Sequence, residues 1–154
     1  MDGKDILMIL PRRTIVRSPS FENSFRLEMP QEGKVIAFLE EELVGQATWQ
    51  DAFDFEGIER PMLVFECTKK EYELDLFEGL ISQLALDFDA IPGRYPLYIK
   101  LKETDLPYIA KASRMGFVPY FGAWIQSSAQ ESEVIWQNIT EALRQAYPQG
   151  FQEK

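Results

Sequence analysis

The sequence predicts an α+β domain built on a mixed, mostly antiparallel sheet, and three observations predict it. Residues 61–117 run in the order strand, loop, helix, strand, helix, strand, judged by where apolar spacing is continuous and where it turns helical. The residues before that stretch carry short β-branched and alternating runs typical of antiparallel sheet, and those after it carry a closing strand and a helix. No repeat, linker or low-complexity tract interrupts the 154 residues, so one domain spanning 1–154 is expected.

Residues 5–10 and 13–18 are rich in Ile, Val and Leu and are split by Pro11, which predicts two short extended pieces, with a turn at Ser18-Pro19-Ser20. Phe25, Leu27 and Met29 alternate with Arg26 and Glu28 as in a half-buried strand that ends over 30–33. Lys34 to Trp49 reads as a hairpin with a charged tip at Glu40-Glu41-Glu42, a device that blocks edge pairing. An acidic connection follows over 50–60, without the spacing of a calcium loop.

Pro61 to Cys67 is a continuous apolar run, expected to be buried on both faces. Phe77, Leu80, Ile81, Leu84 and Phe88 then fall at helical spacing over 75–90, with Asp75 and Glu78 set as a capping box and Pro92-Gly93 as the stop. After a strand over 96–102, Asp105 caps a helix with Pro107 in its first turn, where a missing N–H costs little. Leu106, Ile109, Ala112 and Met115 form its inner face and Gly116 its end. A strand is expected over 117–125. Ser128 and Glu131 then cap a helix over 131–147, with Val134, Ile135, Ile139, Ala142, Leu143 and Ala146 as its apolar stripe.

Composition narrows the chemistry. Twenty-five acidic against 16 basic residues give a net charge of −9, which repels polyanions, so neither a nucleic acid nor a membrane is an expected partner, and an amine-bearing or cationic ligand is favoured. The absence of histidine removes Ser-His-Asp and Cys-His nucleophile systems and every histidine metal site, and no metal is expected. Cys67 stands alone, so no internal disulfide exists. The apolar run from Ile6 to Leu10 is too short for a signal peptide or a span, which predicts a cytoplasmic protein.

From Val35 to Phe117 the chain resembles the GNAT superfamily of acyltransferases. Glu42-Leu43-Val44-Gly45-Gln46-Ala47 resembles the family's hairpin, and Ile109-Ala110-Lys111-Ala112-Ser113-Arg114-Met115-Gly116-Phe117 resembles its helix ending in Leu-Gly-Phe. The resemblance implies flanking helices and a sheet with a parallel pair, 61–67 and 96–102, that splays to hold acetyl-CoA or another acyl-CoA. The implied activity is transfer of the acyl group to an amine.

Among the residues so implied, Glu66 is the candidate general base, and Tyr108 or Tyr120 the candidate acid, because Ala112 stands where the family's tyrosine belongs. Phe65 and Cys67 on the strand, with Tyr72, Asp75 and Phe77 at the loop, are the candidate cofactor contacts. That loop, Tyr72-Glu73-Leu74-Asp75-Leu76-Phe77, lacks the glycines through which family members admit a pyrophosphate, and it carries two acids. Residues 1–33 show no helical periodicity where the family has helices, and a carboxyl-terminal helix replaces a last strand. A non-catalytic protein that keeps the fold and binds another ligand is therefore the alternative. A third reading is association through the faces carrying Trp49, Trp124 or Trp136, as in a homodimer.

Overall fold

The computed structural model describes residues 4–11, 25–53, 59–88, 96–122 and 128–149. Seven strands, β1 (Asp5–Leu10), β2 (Arg26–Gln31), β3 (Lys34–Leu39), β4 (Glu42–Phe53), β5 (Glu59–Cys67), β6 (Leu97–Lys102) and β7 (Val118–Pro119), form one sheet. Three helices, α1 (Glu73–Phe88), α2 (Leu106–Arg114) and α3 (Ala129–Ala146), complete an α+β fold. The strand order is β2-β3-β4-β5-β6-β1-β7, and every neighbouring pair is antiparallel except β5 and β6. β1, from the amino end, thus lies inside the sheet between β6 and β7.

The β3–β4 hairpin turns at Glu40-Glu41, and Glu40 takes the left-handed conformation (φ 58°). Ala37 pairs with Gly45 and Phe38 with Leu43, so Val44 is a bulge residue. Its carbonyl instead accepts the Thr68 N–H at 2.9 Å, which ties the loop after β5 to the hairpin. At Gly45 a Cβ would lie 3.3 Å from both the Glu66 carbonyl oxygen and a Leu80 methyl. Glycine here allows α1 to approach the sheet closely.

One face of the sheet carries the main core. Ile6, Met8 and Leu10 of β1, Leu63 of β5, and Leu97 and Ile99 of β6 meet Leu76, Phe77, Leu80, Ile81 and Leu84 of α1. Ile109 and Ala112 of α2 and Ile135, Trp136, Ile139 and Leu143 of α3 join the same cluster. Among the described residues the opposite face has a small cluster around Leu7 and Tyr98. Where α1 meets α2, the buried Glu78 carboxylate receives Lys111 Nζ at 3.3 Å and a second ion pair from Arg114. Gly116, at φ 108°, then reverses the chain into Phe117, whose N–H bonds the Ala112 carbonyl at 3.0 Å.

Several expectations are corrected. Of the connection read over 50–60, the described residues are strand, because β4 continues to Phe53 and β5 starts at Glu59; residues 54–58 lie outside the described residues. β5 is not buried on both faces: of residues 61–67 only Leu63 is buried, since the strand borders an opening instead of a full pair of neighbours. α1 starts at Glu73, two residues early, so Asp75 lies in its first turn and Glu78 serves as an internal counter-ion, not a cap. Of the strand read over 117–125, the described residues 117–122 are regular only at Val118–Pro119, and 123–125 lie outside the described residues. On α3, Ser128 does accept the Glu131 N–H at 3.1 Å, but Val134 is 56% exposed and Ala146 is exposed, since the buried stripe passes instead through Trp136. Residues 13–20, Pro92-Gly93 and Trp124 lie outside the described residues.

Candidate functional site

The parallel strands part almost as soon as they meet. Met62 pairs with Tyr98 and Leu63 with Ile99, and no further partners follow although β5 runs on to Cys67 and β6 to Lys102. A cleft of about 620 Å³ occupies the splay. It opens at the carboxyl ends of two parallel strands, the place where such sheets characteristically bind ligands.

Strand alternation sets what the cleft is made of. Phe65 of β5 points to the helix side, where Phe77 of α1 stands edge-on to it, with ring centroids 5.4 Å apart. Phe77 is edge-on to Tyr108 of α2 at 4.7 Å, so three aromatic rings from three elements line one wall. Cys67 joins them, its thiol donating to the Lys69 carbonyl at 3.1 Å.

Charge is distributed around this apolar wall. Glu73, the first residue of α1, accepts a hydrogen bond from the Tyr108 hydroxyl. Burial, then the Glu73 carboxylate, with Cys67 and Asp105 adding, hold the phenol well above its ordinary range. Lys70 pairs with Glu73 at 3.1 Å, and Lys102 with Asp5 at 2.7 Å. Lys100 and Asp105 also line the cleft. Because the folded value of Tyr108 exceeds the ordinary 10.0, the stability tied to its proton is complete below pH 10 and declines as the pH rises beyond it. In an ultraviolet titration a late-ionising phase should be present, and Tyr108→Phe should remove it; a titration with no late phase would contradict the burial of the phenol and its contact with Glu73.

Of the residues singled out in the sequence, the fold brings Phe65, Cys67, Phe77 and Tyr108 together at the cleft. The others lie elsewhere. Glu66 alternates onto the exposed face of β5, where it accepts a hydrogen bond from Gln46 at 2.6 Å. Tyr120 stands edge-on to Tyr98 at 5.5 Å, on the face away from the helices. Tyr72 packs edge-on against Phe25 at 5.5 Å, and Asp75 borders a smaller hollow with Pro107 and Lys111. Asp5, Lys100, Lys102 and Asp105 were not legible as site residues. The Lys-Leu-Lys alternation of β6 marks one polar face but does not say that the neighbouring strand has moved away from it.

The cleft does not fit the coenzyme A that the sequence resemblance implies. A pyrophosphate cradle needs free backbone N–H groups at a helix start. Here residues 70–72 form a 3-10 turn in which the N–H of Tyr72 bonds the Lys69 carbonyl and that of Glu73 the Lys70 carbonyl. No glycine lies between residues 68 and 78, and the Glu73 carboxylate puts negative charge where the helix start meets the cleft.

No protein-family model, curated protein or solved structure matches this chain. No helix among the described residues is long and apolar enough to cross a membrane.

Proposed function

We propose that the chain is a divergent GNAT-like protein that holds a small ligand in the splay cleft and does not transfer an acyl group. One observation carries this reading: β5 and β6 separate after two residue pairs around an aromatic-walled cleft, while the Tyr72 and Glu73 N–H groups of the adjoining turn bond the Lys69 and Lys70 carbonyls. The first supports a binding site and the second argues against a phosphate cradle. Transfer from an acyl-CoA to an amine is the second reading, favoured by the tyrosine hydroxyl at the cleft.

Calorimetry with acetyl-CoA separates the two. No heat is expected at millimolar ligand, whereas a panel of small apolar fragments should shift the amide resonances of Phe65, Ile99 and Tyr108. Micromolar acetyl-CoA binding, about −8 kcal/mol, would instead favour the transferase.

A further inference from the structure

The charges around the cleft are balanced in number but not in position. Its six charged lining residues are three acids, Asp5, Glu73 and Asp105, and three lysines, Lys70, Lys100 and Lys102. Lys102 is satisfied by Asp5, and Lys70 by Glu73, which also holds the Tyr108 hydroxyl. Asp105 and Lys100 have no ion-pair partner among the described residues. Asp105 precedes α2 without making the side-chain capping bond that its position allows, and it lies close enough to act on the Tyr108 phenol. Lys100 also lines the cleft, and its alternation with Ile99 puts it on the exposed sheet face away from the helices.

The two are five positions apart in sequence, so their Cα atoms are at most about 18 Å apart. The turn between them shortens this further, since the Asp105 N–H bonds the Lys102 carbonyl at 3.0 Å. One acid and one base on the lining of an aromatic-walled cleft remain for a ligand. A cation beside Asp105 that sits over the face of the Tyr108 ring also gains cation–π attraction, and an apolar body gains the wall of Phe65 and Phe77.

We infer that the cleft selects a zwitterionic ligand with an apolar body, its ammonium group at Asp105 beside Tyr108 and its anionic group at Lys100. This rests on the cleft being a ligand site, as proposed above. It adds the chemical class of the ligand.

Three probes of matched length test it by calorimetry and amide shifts: 6-aminohexanoate, hexylamine and hexanoate. The zwitterion should bind at least tenfold more tightly than either singly charged probe and should shift Ile99 and Tyr108. Asp105→Asn should weaken the zwitterion and hexylamine and leave hexanoate unchanged. Lys100→Met should weaken the zwitterion and hexanoate and leave hexylamine unchanged. Neither side chain is buried, so both variants are expected to fold. Equal or tighter binding of a singly charged probe, or zwitterion shifts confined to residues outside the cleft, would overturn the inference. If none of the three binds while the fragment panel still shifts the cleft amides, the zwitterion assignment is wrong and the ligand site stands; if the panel also fails, both are wrong.

Discussion

Glu78→Ala lowers the unfolding free energy by about 3 to 5 kcal/mol, read from the midpoint and slope of a urea transition. The carboxylate is 1% exposed and has two cationic partners, Lys111 and Arg114, whose side chains are themselves only 19% and 15% exposed. Deleting it leaves two largely desolvated cations facing each other across the α1–α2 contact without the carboxylate they share. The cost is dominated by those stranded charges, more than by the lost attraction. Exchanging Lys111 and Arg114 for methionine in the Glu78→Ala background should therefore recover most of the loss. A loss below about 1 kcal/mol, the scale of an exposed ion pair, would mean that water reaches the cluster.

Phe77→Ala has a comparable effect, about 3 to 5 kcal/mol. Its ring is 1% exposed and contacts Phe65 and Tyr108 edge-on. Truncation removes core packing and also opens the floor of the cleft, so fragment binding should weaken along with stability. The double change Asp75→Gly with Phe77→Gly distinguishes loop from helix at this point. In a loop, two glycines would help form a phosphate cradle. Inside α1 they each add about 0.3 to 0.5 kcal/mol of helix cost relative to Asp and Phe to the lost ring, so the variant should unfold more readily and gain no affinity for coenzyme A. A stable variant that binds coenzyme A would return these residues to the loop.

Much of this architecture was legible from local pattern. Alternation in 25–29 and 34–49, the helical spacing of Leu80, Ile81 and Leu84, the Pro107 start and Gly116 stop of α2, and the Ser128–Glu131 cap each depend on residues near one another in sequence, and each appears in the fold. The errors share a cause. Glu78 has the spacing of a cap residue and becomes a buried counter-ion only because α2 brings Lys111 and Arg114 against it. Val134 has the helical spacing of a core residue, yet the face that docks is the one led by Trp136. In both cases a distant element decided which of two locally acceptable roles the side chain took.

The candidate site divides in the same way. Composition alone excluded histidine chemistry and placed the net charge at −9, and the continuous run at 61–67 identified the strand that borders the cleft. Only the tertiary structure decided that Glu66 faces away from the cleft while Phe65 and Cys67 face into it, because a one-residue step in a strand reverses the side chain's direction. Only it could bring Asp5 from the amino end beside Lys102, through β1 inserting between β6 and β7. Sequence specified the elements through short-range periodicity and capping. The cleft depends on where two strands stop pairing, and that is set by the packing of the whole sheet.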